Sequence, residues 1–158
     1  MANPLQAGDK APNFSMPSTE GDISLKDFEG SYLVLYFYPR DNTPGCTTEA
    51  KDFTALVDEF GARNAKIVGV SRDSMTKHEN FKAKQGFPFE LICDKDERLC
   101  QLFDVIKLKK LYGKEYLGID RSTFLIDHEG LLRQEWRGVK VPGHVEAVLQ
   151  AAQALQQR

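Results

Sequence analysis

The clearest pattern in the chain is an unbroken apolar run, Leu33-Val-Leu-Tyr-Phe-Tyr38. A short run with no polar alternation reads as a strand buried on both faces. Turn formers follow it. Then Ala50, Phe53, Leu56, Val57 and Phe60 recur at helical spacing and predict a helix over 44–60. The alternation continues: Lys66–Ser71 reads as a strand, 75–85 as a helix starting near Ser74, and Phe89–Cys93 as a short strand. Residues 96–104 read as a helix with Leu99, Leu102 and Phe103 inward. Ser122–Asp127 and Leu131–Trp136 flank Asp127-His-Glu-Gly130, a hairpin turn signal. In the tail, 143–157, the residues Val145, Val148, Leu149, Ala152 and Leu155 share one helical face. Residues 1–30 mix turn formers with Phe14, Ile23, Leu25 and Phe28, which predicts a short N-terminal hairpin or edge. Strand–helix units followed by a hairpin and a packing helix imply an α/β sandwich.

There is no internal repeat, low-complexity tract or linker, and 158 residues read as one domain, 1–158. A net charge of -2 and a pI near 5.9 argue against a nucleic-acid binder. No apolar run approaches the roughly 18 residues of a membrane span. The start, Met1-Ala-Asn-Pro-Leu-Gln, lacks the basic-then-apolar form of a signal peptide. Three cysteines without framework spacing fit a reducing, cytoplasmic setting.

One of those cysteines stands apart. In Pro39-Arg-Asp-Asn-Thr43-Pro44-Gly45-Cys46-Thr-Thr-Glu49, Thr43 reads as an N-cap and Pro44 as the first helical residue. Cys46 is then the third helical position, with Thr43 and Cys46 at capping-box spacing. Free backbone N–H groups and the helix dipole favour an anion there. A cysteine so placed is expected to be a thiolate, the nucleophilic form. It also lies just past the carboxyl end of its strand, where open α/β sheets place ligands.

These residues resemble the peroxiredoxins, thiol peroxidases on a thioredoxin-like fold, whose Pro-x-x-x-Thr-x-x-Cys signature matches Pro39, Thr43 and Cys46. The branch most similar is that of bacterioferritin comigratory protein, or peroxiredoxin Q. The match extends through Gly8–Phe14, Leu25–Gly30, Phe37–Pro39, Thr43–Glu49 and Gly118–Asp127. The resemblance implies a central mixed sheet flanked by helices, with an N-terminal hairpin extension. It implies Cys46 as peroxidatic cysteine, Thr43 and Arg121 completing the active site, Pro39 shielding it and Glu49 orienting the arginine. The substrates would be hydrogen peroxide and organic hydroperoxides, and the partner a thioredoxin-like protein or small thiol, with no cofactor or metal. A monomer or weak homodimer is expected. This branch often carries a resolving cysteine at one of two places, which here are Lys51 and Lys82. The expectation is therefore a one-cysteine type, with Cys100 and Cys93 the remaining thiols that could resolve Cys46.

Lowering a thiol pKa from about 8.5 to about 6 raises the thiolate fraction only about 30-fold, or about 2 kcal/mol. Positioning and stabilisation of the leaving oxygen must supply the rest. The Thr43 hydroxyl, the Cys46 N–H and the Arg121 guanidinium are suited donors. The product is a sulfenic acid, which a second thiol must reduce. Elsewhere the bland readings lead. Cys93 and Cys100 read as core residues, and Phe81, Phe87 and Phe89 as core or pocket wall. His78, His128 and His144 show no metal-ligand spacing and read as solvated. Lys107, Lys109, Lys110 and Lys114 read as a solvated loop. A disulfide oxidoreductase would want Cys-x-x-Cys, where this chain has Cys46-Thr-Thr-Glu49. A redox sensor that passes Cys46 oxidation to a partner is the other alternative.

Overall fold

The structure, a computed structural model, describes residues 5–156. The ends named above, residues 1–4 and the last residue of the expected tail helix, lie outside the described residues.

The apolar run forms β3 (Tyr32–Phe37), and every one of its residues is buried. It pairs in parallel with β4 (Ala65–Ser71), which pairs in parallel with β5 (Glu90–Cys93). On its other side β3 pairs antiparallel with β8 (Ser122–Ile126), followed by β9 (Leu132–Trp136). The N-terminal hairpin, β1 (Ser15–Ser18) and β2 (Gly21–Ser24), caps the far edge through β5. The result is one mixed sheet of order β2-β1-β5-β4-β3-β8-β9.

Side chains of β3 and of Tyr38 just after it alternate between two cores. Val34, Tyr36 and Tyr38 enter one with Cys46, Phe53, Phe81 and Val148. Leu33, Leu35 and Phe37 enter the other with Leu99, Cys100, Phe103 and Phe124. A strand covered on both faces needs no polar alternation, so its sequence shows none. The first core lies under α1 (Pro44–Ala55), α2 (Val57–Ala62), α3 (Met75–Gln85) and α5 (His144–Gln156), the second under α4 (Arg98–Leu102). This is the thioredoxin-like α/β architecture.

Three expectations are corrected. The helix over 44–60 breaks at Leu56 into α1 and α2, although Phe53 and Phe60 stay on the buried side. The helix over 96–104 shrinks to α4, because Glu97 takes a left-handed conformation at φ 64° that starts the helix afresh, and of its expected inward residues Leu99 and Phe103 are buried whereas Leu102 is exposed. The lysine-rich segment is not a loop. It forms a two-stranded hairpin of β6 (Ile106–Leu111) and β7 (Lys114–Ile119), separate from the main sheet. Charged residues are depleted in strands, so propensity hid it. Phe81, Phe87 and Phe89 are buried, as read.

Candidate active site

The site begins where β3 runs out. Thr43 has extended backbone (φ -91°, ψ 155°), Pro44 follows at the first helical position, and Cys46 lands in the first turn, 2% exposed. Thr43 caps by backbone alone, its carbonyl accepting from Thr47 N at 2.9 Å. Its hydroxyl does not cap the helix. It donates to the Arg40 carbonyl at 2.9 Å, which closes the turn and leaves the oxygen's acceptor side free. Pro39 is half-buried at the end of the strand.

Arg121 reaches this turn by sheet register. Phe37, the last residue of β3, pairs with Ser122, the first of β8, so the residue before β8 stands beside the end of β3. Arg121 Nη2 lies 3.3 Å from Cys46 Sγ. Nη1 of the same guanidinium donates to Glu49 Oε1 at 2.6 Å. Glu49 is three residues beyond Cys46, so the two share a helix face. Gly45 lies against the guanidinium: a Cβ there would stand 3.1 Å from Nη2.

Glu49 is fully buried, and its Oε2 has no partner. Burial pushes its carboxyl up to about 7, against the pull of Arg121. Arg121 is held above the ordinary arginine range: burial opposes this, but the charges of Glu49 and Cys46 outweigh it. Above pH 7 the two form an ion pair; below it the carboxyl gains a proton. The geometry presents one guanidinium to a sulfur and to whatever approaches that sulfur, with a carboxylate fixing its plane.

The turn has a foundation that the sequence reading missed. Asp41 is buried; its Oδ1 accepts from Tyr38 at 2.6 Å and its Oδ2 lies 2.7 Å from His78 Nδ1. His78 Nε2 lies 2.9 Å from the Ile92 carbonyl, so Nε2 carries a proton, and Nδ1 and Asp41 share another. Asp41 N donates to Asp73 Oδ2, which also accepts from Ser71. His78 is therefore a buried tie between α3 and the turn that leads to Cys46, not a solvated side chain. His144 is also buried, with Nε2 2.7 Å from Thr123 Oγ1, and burial and then the Arg121 charge push it down to about 4. His128 alone is solvated. Helical spacing carried a signal: His78 precedes buried Phe81 by three, and His144 precedes buried Val148 by four.

Asp41, Asp73 and His78 also bring potential metal ligands together. Their facing atoms are already hydrogen-bonded to one another and to Tyr38, Ser71 and Ile92, so their burial is accounted for without an ion.

All three cysteines are free thiols. Cys100 belongs to the core across the sheet, and burial raises its thiol well above the ordinary range. Cys93 is half-buried, and its Sγ faces the Asp73 carbonyl at 3.2 Å. Lys82 forms an ion pair with Glu90, tying α3 to β5.

Residues 7–135 match the AhpC/TSA family. The chain is 56% identical over 147 residues to peroxiredoxin Bcp of Xanthomonas campestris, covering 91% of this chain and 92% of that protein. It is 50% identical to peroxiredoxin Bcp of Bacillus subtilis over 155 residues, 98% of this chain and 99% of that one. Among solved structures, a cysteine-to-serine mutant of Xylella fastidiosa peroxiredoxin Q superposes with a TM-score of 0.92 at 44% identity, covering 98% of this chain and 99% of that chain. The bacterioferritin comigratory protein of Xanthomonas campestris, whose structures concern alkyl peroxide reduction, superposes with a TM-score of 0.88 at 52% identity, covering 94% and 98%. Among the described residues no helix is long and apolar enough to cross a membrane.

Proposed function

The chain belongs to the peroxiredoxins, in the branch of peroxiredoxin Bcp and peroxiredoxin Q, and from that premise we propose that Cys46 is its peroxidatic cysteine and that an external thiol regenerates it. Its activity is that of a thiol peroxidase. We assign hydrogen peroxide and organic hydroperoxides as substrates. The setting assigned is the reducing cytoplasm, with residues 1–158 acting as one domain in a monomer or weak homodimer.

In the first step the Cys46 thiolate attacks the terminal oxygen of ROOH. The S–O bond forms as the O–O bond breaks, the sulfur keeps the OH as a sulfenic acid, and RO⁻ leaves to take a proton. Arg121 stabilises both the thiolate and the departing oxygen. Thr43 offers a hydroxyl beside the path, Glu49 orients the guanidinium, and Pro39 shields the turn. In the second step an external thiol R′SH attacks the sulfenic sulfur, giving a mixed disulfide and water. A further thiol then releases the Cys46 thiol as R′ leaves in a disulfide.

The observation that carries the reading is the single guanidinium held between Cys46 Sγ at 3.3 Å and Glu49 at 2.6 Å. The one-cysteine part is supported by lysine at positions 51 and 82 and by the sheet that stands between Cys46 and Cys100. Cys46→Ser is expected to abolish peroxide consumption, while Cys93→Ser and Cys100→Ser keep the first oxidation. After one equivalent of peroxide, Cys46 is expected to be trapped by dimedone as a sulfenic acid. A stoichiometric Cys46–Cys93 or Cys46–Cys100 disulfide, formed faster than trapping, would overturn the one-cysteine reading. Oxidation without turnover under any reductant would favour a sensor.

A further inference from the structure

We propose that the outer part of the β6–β7 hairpin is the landing surface for the reductant, and that this reductant is a dithiol protein whose reactive cysteine is rimmed by acidic side chains. The inference rests on the external-thiol reading above and names its partner and contact.

The hairpin's apolar anchors lie at its base, where Ile119 is buried and Ile106 packs on the second core. Beyond that, Leu108, Leu111, Tyr116 and Leu117 are exposed. A lone two-stranded hairpin gains little by exposing four apolar side chains. Its tip adds to the cost. Leu111 pairs with Lys114, so Tyr112 and Gly113 form a two-residue turn, both at positive φ (51° and 77°). Such turns favour Asn-Gly; a bulky residue in the first place is disfavoured. Tyr112 is 95% exposed, so no packing within this chain repays that conformation. An exposed aromatic held at a strained tip is suited to anchor a partner.

The hairpin also leads to the sulfur. β7 runs directly into Asp120 and Arg121. Residues opposite one another in an antiparallel pair share a face, so Lys107, Lys109, Leu111, Lys114 and Tyr116 lie together on the Gly118 side. Lys109 crosses that glycine, since a Cβ on Gly118 would stand 3.2 Å from Lys109 Cδ. Burial lowers the Lys109 ammonium below the ordinary lysine range, and the charges acting on it are those of Asp120, Arg121, Cys46 and Arg72. Because β7 ends two residues before Arg121, the base of the face that bears the lysines lies next in the chain to that guanidinium. Arg72 pins the strand by donating to the Leu117 carbonyl at 3.3 Å.

Charge selects the occupant. This face carries three lysines, and Glu115 sits on the opposite face, 3.5 Å from Lys110. Of the three, Lys107 is 3.2 Å from Asp104 at the base. A second copy docking through the same patch would set lysine against lysine. A partner with carboxylates around its thiol meets complementary charge while its sulfur is directed at Cys46.

The test separates three measurements on Tyr112→Ser/Lys114→Glu and on the wild type: peroxide oxidation of reduced enzyme, reduction of oxidised Cys46 by dithiothreitol, and reduction by thioredoxin as the protein probe. The first two are expected to stay within about twofold. Reduction by thioredoxin is expected to slow roughly tenfold or more at low salt. The wild-type rate should fall as salt rises, and the variant's should be nearly flat. Equal rates with thioredoxin would overturn the proposal, as would a wild type reduced by dithiothreitol and not by thioredoxin. A change of sedimentation with unchanged reduction would overturn it in favour of a self-contact. Mass spectrometry of the oxidised wild type before any reductant is added reads the premise separately. An internal disulfide there would remove the external-thiol reading, and this proposal with it.

Discussion

Nη2 of Arg121 stands 3.3 Å from Sγ of Cys46, although 75 positions separate them along the chain. The contact depends on the β3–β8 register, which sets Arg121 beside the end of the strand that leads to Cys46. It brings positive charge to the Cys46 sulfur and, in the proposed reaction, to the oxygen that leaves.

Arg121→Ala is expected to slow peroxide oxidation of Cys46 by about 10²–10³-fold, the usual loss of a preorganised donor. Arg121→Lys keeps the charge but cannot hold Glu49 and the sulfur with one planar fork, so it should fall between the two. Stopped-flow oxidation of the reduced proteins measures this. Wild-type rates in Arg121→Ala would remove Arg121 from the chemistry.

Gly45→Ala tests how closely the guanidinium must be placed. The new methyl would meet Nη2 at 3.1 Å, so the arginine must shift by a few tenths of an ångström. We expect oxidation to slow by about 3–10-fold, given how steeply rate depends on alignment. Thermal stability should not fall, because alanine is favoured over glycine in a helix by up to about 1 kcal/mol. A slower but equally stable protein is the expected result. A loss of stability with an unchanged rate would contradict it.

Two buried groups oppose one another in their effect of pH on stability. His144 sits at about 4 when folded against an ordinary 6.5. The unfolded chain therefore takes up the proton first as pH falls from 6.5 to 4, and stability drops by up to about 3 kcal/mol. Glu49 sits at about 7 when folded against 4.5. Here the folded state takes up the proton first, so stability rises by a similar order as pH falls from 7 to 4.5. Relative to wild type, His144→Gln should gain stability on acidification from 6.5 to 4. Glu49→Gln should lose it between 7 and 4.5. Urea unfolding at several pH values gives both difference curves. Curves of the same sign would show that one of the two groups is not titrating as its burial dictates.

The Asp41–His78 pair should be costly to break and cheaper to neutralise. His78→Ala leaves Asp41 buried without its partner and is expected to cost about 3–5 kcal/mol. In Asp41→Asn the amide oxygen still accepts from Tyr38 and the amide N–H can donate to a neutral imidazole, so the loss should be under about 2 kcal/mol. Denaturant titration measures both. The reverse order would mean that ionic charge, not hydrogen bonding, holds the turn.

Local rules were enough for much of the fold. The strand at 33–38, the helix beginning at Pro44, the hairpin about Asp127–Gly130 and the tail helix were legible because each follows from periodicity or turn chemistry within a few residues. The position of Cys46 in the first turn of its helix was legible for the same reason, since Thr43, Pro44 and Cys46 are neighbours. What could not be read locally depended on partners far along the chain. His78 and His144 looked like solvated residues because their burial is satisfied by Asp41, Ile92 and Thr123 from other elements. The lysine-rich hairpin was hidden because its strands satisfy each other's backbone groups while leaving most side chains in water. Neighbouring residues alone mark which thiol has a helix N-terminus and which segments must be buried. That Arg121 meets Cys46 and Glu49, and that the sheet keeps Cys100 from Cys46, follows from the assembled fold. The physical reason is that a local motif constrains a few adjacent dihedrals, whereas a contact across 75 positions is set by strand register and packing, which the whole chain settles together.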